Sequence, residues 1–367
     1  MTGLPPSTWA VDVEAAGARE LVPGLWRLRL PMPWHHVTHT NAYAIARADG
    51  GIVLVDTGCG GHPTALAALE RALGQAGFAL ADIRQLLITH FHSDHMGLLG
   101  AIKRATGCEV LGHAACEAHF EVVEQPGAVQ IARHRLAASE GARGEVLAAV
   151  ACVREELEGA PAPVRPDRLL RTGDEVATAL GAWRVIEAPG HCPSQVCLHL
   201  PERGLLISAD LLMPDFTTYC DLGGTEDPIG DFRVAIERVA PLGTPLCLGG
   251  HGRPLDDLPR LVTLYRDGIA DRLARVEAAL PGTTAEVLEA VFGRIGFITT
   301  AAWRFLETYA YLLHLRTLGR AERTPDGWVS THPEHDLAED LAVHHPPDPL
   351  TGVGQVEDRV DGGLQAR

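Results

Sequence analysis

The chain has 367 residues, enough for two domains or one large one. Its 46% hydrophobic and 21% charged residues exclude a disordered, fibrous or small disulfide-stapled protein. A formal net charge of −16, from 31 basic against 47 acidic residues, argues against broad binding to nucleic acid or anionic membranes, because both need clustered cations.

Residues 24–31 alternate apolar and polar side chains, the pattern of a half-buried strand. Residues 41–47 read as a second strand. Gly50-Gly51 turns the chain into a short buried strand, Ile52-Val53-Leu54-Val55, which ends at Asp56-Thr57-Gly58. Residues 63–76 form an Ala/Leu-rich helix. The apolar strand from Ile83 to Thr89 runs straight into a histidine-rich loop at 90–95. Residues 114–160 are mostly helix-forming, until Pro161, Pro163 and Pro166 break the chain. Strands resume at 183–187, 195–199 and 205–208. Strand-loop-helix units on both sides of a helical insert predict an α/β fold with two sheets covered by helices.

From residue 258 helical patterns dominate, at 259–279, 284–293 and 299–318. A hairpin follows, 320–324 and 327–330, joined through Pro325-Asp326-Gly327. Three helices and a hairpin predict a winged-helix-like appendage. Residues 332–367 contain no aromatic residue and eight acids, and read as a disordered acidic tail. The expected organisation is a catalytic domain at 1–257 with an insert at about 114–165, an appendage at 258–331, and the tail. The eight cysteines form no Cys-x-x-Cys pair, which suits a reducing compartment. The N-terminus lacks a basic start before an apolar core, and no apolar stretch approaches the roughly 20 residues of a spanning helix. A cytoplasmic protein without membrane contact is expected.

Thr89-His90-Phe91-His92-Ser93-Asp94-His95 puts four metal-ligating side chains within six residues, just past a strand. Imidazole and carboxylate suit Zn²⁺, Fe or Mn²⁺. Alternate residues of an extended segment face the same way, so His90 and His92 can reach one metal. Asp94 and His95, past the bend, can reach a second. Further donors stand in glycine turns or at strand ends: His191 in Ala188-Pro-Gly-His-Cys-Pro-Ser194, Asp210 in Leu206-Ile-Ser-Ala-Asp210, and His251 in Gly249-Gly-His-Gly-Arg-Pro254. Together they supply the three ligands that a two-metal site still lacks.

With these residues, and with Val55-Asp56-Thr57-Gly58 upstream, the sequence resembles the metallo-β-lactamase-fold hydrolase superfamily over roughly residues 20–255. The resemblance implies an αββα sandwich and two divalent metal ions, Zn²⁺ first, with iron or manganese as alternatives. It implies one metal on His90, His92 and His191, and a second on Asp94, His95 and His251. Asp210 would bridge them, and Asp56 would orient ligands from behind, so that Asp94, Asp210 and Asp56 are the carboxylates of the catalytic centre. Two departures stand out. Met96-Gly97-Leu98 replaces a frequent Gly-Gly, and Ala209 replaces a frequent glycine before the bridging aspartate. Related di-iron redox proteins carry a glutamate where this chain has His92, which favours hydrolysis.

Two cations about 3.5–4 Å apart can lower the pKa of a shared water towards about 7. The hydroxide then attacks a carbonyl carbon or a phosphorus, so no protein nucleophile is needed, and Ser93 is expected to serve the tight turn. The first reading is a hydrolase of a small carbonyl substrate: a thioester, ester or lactone. The alternatives are a phosphodiesterase or endoribonuclease, and a non-catalytic winged-helix regulator with a structural metal site. Residues 255–331 carry nine basic and ten acidic residues, which argues against nucleic acid as a partner. It leaves packing, a homodimer or cover over the active site as roles for that segment. The C-terminal region of the superfamily's glyoxalase-type thioesterases does not resemble residues 258–331. Pocket candidates are Trp34, His35, His36 and His39, and Phe216, Thr217, Thr218 and Tyr219, with Tyr219 as a donor to an oxyanion. The insert is a candidate lid, and Val122, Val123 and Ile131 are candidate packing positions on it.

Overall fold

Ile52-Val53-Leu54-Val55 is buried on both faces, and its alternation shows how the molecule is layered. Val53 and Val55 join Leu87, Trp183, Leu198 and Ile207 between two sheets. Ile52 and Leu54 turn the other way, onto helices that carry Leu69 and Leu99. A strand covered on both sides reads as one continuous apolar run. The structure is a computed structural model that describes residues 12–331, except 34–36, 153–163, 222, 245 and 296–297. The expected tail, the pocket candidates Trp34, His35 and His36, and the end of the insert with Pro161 and Pro163 lie outside the described residues.

The first sheet has seven strands in chain order: β1 (Gly17–Val22), β2 (Leu25–Pro31), β3 (His39–Ala46), β4 (Ile52–Val55), β5 (Ile83–Leu87), β6 (Glu109–His113) and β7 (Arg168–Leu170). Pairing is antiparallel from β1 to β4 and parallel from β4 to β7. The second sheet has β8 (Glu175–Thr178), β9 (Gly181–Glu187), β10 (Val196–Leu200), β11 (Leu205–Ala209) and β12 (Leu246–Gly249), in the order β12-β11-β10-β9-β8. Only its β11–β12 pair is parallel. Helices Ala65–Gln75 and Leu99–Thr106 cover the outside of the first sheet, and Pro228–Val239 covers the second. This is the expected αββα sandwich.

The insert, between β6 and β7, contains helices Glu117–Glu124, Pro126–Ser139 and Gly144–Ala151. Val122 and Val123 are half-buried. Ile131 does not pack: it is 54% exposed. The helix buries Ala137 instead, six positions on and roughly 240° around the axis.

After residue 258 come helices Leu258–Ala278, Thr284–Phe292 and Ile298–Thr317, then a hairpin of β13 (Ala321–Thr324) and β14 (Gly327–Ser330). No break between cores falls at the expected 257/258 boundary. Leu206 and Cys247 of the second sheet share one apolar cluster with Phe232, Tyr265, Tyr311 and Trp328. The C-terminal helices therefore thicken the outer layer of the sandwich. The buried Glu140, just past the second insert helix, ties the insert to this layer. Its carboxylate accepts from Thr284 Oγ1 at 2.6 Å, Trp328 Nε1 at 2.8 Å and Arg323 Nε at 2.8 Å. Among the described residues no helix is long and apolar enough to cross a membrane.

Candidate metal centre

The seven residues expected as ligands come from the ends of strands in both sheets, and the fold brings all of them to one edge. His90 and His92 follow β5, and Asp94 and His95 lie in a single helical turn, Ser93–Met96. Part of the expected 90–95 loop is thus helical, and Ser93 is buried in that turn. Asp210 follows β11 and His251 follows β12. His191 lies between β9 and β10. Ligating atoms of His90, His92 and His191 lie within 4.8 Å of one another, as do those of Asp94, His95 and His251. Asp210 groups with His90 and His95 by the same measure, and its carboxylate stands 3.3 Å from His251 Nε2 and 3.7 Å from His191 Nε2. It therefore stands between the two sets.

The loops are held from behind by main-chain and side-chain bonds. Thr57 N donates to His95 O at 2.7 Å, and Leu98 N donates to Thr57 Oγ1 at 3.0 Å. Across the sheets, Asn41 Nδ2 donates to Gly249 O at 3.0 Å and to Gly252 O at 2.9 Å, which fixes the turn carrying His251. A Cβ on Gly250 would stand 2.0 Å from Asp210 Oδ1, so only glycine lets the backbone run this close to the cluster.

Each of the five rings has one nitrogen beside an acceptor, and these acceptors define which nitrogen is left for a ligand. His191 Nδ1 donates to Tyr219 O at 3.0 Å and His251 Nδ1 to His39 O at 2.9 Å. His95 Nδ1 donates to Asp56 Oδ2 at 2.9 Å. Thr89 Oγ1 gives its proton to Asp56 Oδ2 at 2.7 Å, so it accepts from His90 Nδ1 at 3.1 Å. His92 is reversed. Its Nε2 faces both carboxylate oxygens of Asp221 at 3.0 Å. The nitrogens turned into the cluster are then Nε2 of His90, His95, His191 and His251, and Nδ1 of His92; His251 Nε2 stands 3.2 Å from Asp94 Oδ2 and His95 Nε2 3.4 Å from it. His92 Nδ1 and His191 Nε2 stand 2.8 Å apart, within hydrogen-bond distance. Burial would lower His92, yet Asp221 lifts it above its ordinary pKa, so that a protonated His92 donates to His191 here.

This donor set suits divalent cations. Among the described residues, His90 Nε2, His95 Nε2 and Asp210 Oδ1 are buried polar atoms without a well-formed hydrogen bond, the last two 3.5 Å apart, a costly arrangement unless something binds them. Burial would raise Asp94 and Asp210, yet His95 and His251 hold both carboxyls well below their ordinary range. Burial would lower His251, yet Asp210 and Asp94 lift it to about 10. The carboxylates therefore draw positive charge into the centre of the cluster. Burial and neighbouring imidazoles push His90 well down and His191 to about 4, which keeps both rings neutral, as metal ligands must be.

Asp56, expected to orient ligands from behind, accepts from Thr89 N at 2.8 Å as well as from Thr89 Oγ1 and His95. Asp221 was not foreseen. It orients His92 as Asp56 orients His95, but it stands in an acidic, glycine-rich loop with nothing in its immediate sequence to mark it. Of the other pocket candidates, His39 and Tyr219 hold ligand rings by their carbonyls, and Thr218 bonds to the buried Glu307 at 3.0 Å.

A sandwich of two sheets with a histidine and aspartate cluster at one edge defines a metal-dependent hydrolase architecture. The family model of the metallo-beta-lactamase superfamily matches residues 36–251, more than half of the chain, and the chain belongs to that superfamily. A probable metallo-hydrolase of Bacillus subtilis, YqjP, is 25% identical over 260 residues, covering 66% of this chain and 77% of the relative. A hydroxyacylglutathione hydrolase of Anaeromyxobacter dehalogenans is 31% identical over 242 residues, covering 65% of this chain and 72% of the relative. Among solved structures, a metallo-beta-lactamase family protein from Thermus thermophilus superposes with a TM-score of 0.73 at 29% identity. It covers 85% of this chain and 100% of its own, more than residues 1–257 alone would supply. The likeness therefore includes helices after residue 258.

Proposed function

We propose that this hydrolase holds two divalent cations and cleaves a small carbonyl substrate, with an acyl thioester first and esters and lactones as near relatives. The observation that carries the reading is the convergence of five oriented ring nitrogens and two carboxylates with orphaned buried atoms among them. Zn²⁺ suits the ligand set, with iron or manganese as alternatives. One cation would sit on His90 Nε2, His92 Nδ1 and His191 Nε2. The other would sit on Asp94, His95 Nε2 and His251 Nε2, with Asp210 between them. When bound, such cations polarise a carbonyl oxygen and make water acidic enough to be a nucleophile near neutral pH.

The protein's own residues supply orientation. Asp56 and Asp221 fix the tautomers of His95 and His92, and the carbonyls of Tyr219 and His39 fix those of His191 and His251. Ser93 is buried in the motif turn, which suits a structural role. The resemblance to a hydroxyacylglutathione hydrolase, a thioester hydrolase by its name, supports an acyl thioester over a phosphodiester.

The test is a substrate screen on purified protein, first stripped by a chelator and then reloaded with Zn²⁺, Mn²⁺ or Fe²⁺. We expect metal-dependent turnover of thioesters and none of single-stranded or structured RNA. Asp210→Ala should lower turnover by about 100-fold or more, since it removes the carboxylate between the two ligand sets. Full activity in Asp210→Ala, or equal activity before and after stripping, would overturn the reading.

A further inference from the structure

One wall of the metal centre is aromatic, and it is assembled from two distant segments. The Tyr219 ring lies 5.6 Å from the His191 ring and 6.0 Å from the His92 ring, centroid to centroid. The Trp303 ring, from helix Ile298–Thr317, lies 6.1 Å from Tyr219 at an interplanar angle of 63°. Both residues are half-buried. Trp303 stands on a helix that is packed on its other side. Its neighbours Ala302, Phe305 and Leu306 pack with Ala137, Ala142 and Val150 of the insert, and Tyr219 packs against the same cluster.

Two uncharged rings stand here edge to face, one about 6 Å from two of the clustered histidines. Such a pair gains little from a small polar acyl group. It gains most from a flat or extended apolar one, which leaves water as it stacks. We propose that Tyr219 and Trp303 form the acyl subsite, and that the substrate is a thioester or ester with an aromatic or medium-chain apolar acyl group. The proposal rests on the hydrolase reading above. The reaction balances with water alone: its oxygen bonds to the acyl carbon, the carbon–sulfur or carbon–oxygen bond breaks, one proton goes to the leaving thiol or alcohol, and the carboxylic acid departs.

The experiment uses the full chain loaded with Zn²⁺ and acetyl, hexanoyl and phenylacetyl thioesters of N-acetylcysteamine. Wild type should prefer the hexanoyl or phenylacetyl thioester to the acetyl one by about 10-fold in kcat/KM. Trp303→Ala should collapse that ratio by about 10-fold, chiefly through KM, and Trp303→Phe should keep most of it. A wild type that favours acetyl, or a ratio unchanged in Trp303→Ala, would overturn the subsite. Binding of a phenylacetyl thioether, which cannot be hydrolysed, gives a separate calorimetric readout. If no thioester is turned over but the thioether binds in a Trp303-dependent way, the hydrolase reading fails and the subsite stands. Binding equal in wild type and Trp303→Ala overturns the subsite whatever the turnover.

Discussion

Two residues beside the metal centre stand where L-amino acids rarely go: Asp56 at φ +60° and Ala209 at φ +45°. For Asp56 the same carboxylate that accepts from Thr89 and His95 accompanies the strain. Ala209 has only a methyl group and no such bond to offer. Left-handed geometry costs alanine about 1–2 kcal/mol, whereas glycine adopts it freely and loses under about 1 kcal/mol through its looser unfolded chain. Ala209→Gly should therefore stabilise the protein by up to about 1 kcal/mol, read as a higher urea midpoint at unchanged slope. A lower midpoint would show that the methyl group contributes packing that outweighs the strain. The other departure from the family pattern is harmless, because Leu98 has an ordinary φ of −98°. The glycine that matters there is Gly97, where a Cβ would come within 2.0 Å of Gly60 N. The convergence of the seven expected side chains was legible in the sequence because donors of the right chemistry crowd 89–95 or stand in glycine turns after strands. Asp221 was not, since its role exists only once His92 is placed beside it.

At the scale of single elements, legibility followed burial. β4 and β11 are covered on both sides and show as nearly unbroken apolar runs. β1, β7 and β8 are short or exposed, with burial patterns too weak to read. The three C-terminal helices and their hairpin were legible by period and turn chemistry. Their docking was not, because it depends on Leu206 and Cys247, more than fifty and more than ten residues upstream of that segment. Glu140 tests this docking. Glu140→Ala leaves Trp328 Nε1, Thr284 Oγ1 and Arg323 without their acceptor. It should destabilise the protein by about 3 kcal/mol, because breaking a buried pair strands the remaining charge. Chemical denaturation would measure the loss, and a change within about 0.5 kcal/mol would mean that the insert is held by its apolar contacts alone.

For the molecule as a whole, the proposed metal site would couple metal content to stability. Carboxylates and lone pairs crowd one edge of both sheets, and an ion that binds only the folded chain stabilises it by mass action. At a free cation concentration 100 times its Kd the gain is about 2.7 kcal/mol. Calorimetry on stripped and reloaded protein should show a melting temperature that rises with added Zn²⁺. A melting temperature indifferent to chelator and cation alike would argue that the cluster does not hold metal.

The shared contacts of the insert and the last long helix also bear on how chains of this architecture diversify. Ala137 and Val150 meet Ala302 and Phe305, although more than 150 residues separate them along the backbone. A lineage cannot reshape one of these segments freely while keeping the other, so the two are bound to drift together. Exchanging the C-terminal helices with those of a relative would carry over that relative's selectivity only if the partner insert travels with them.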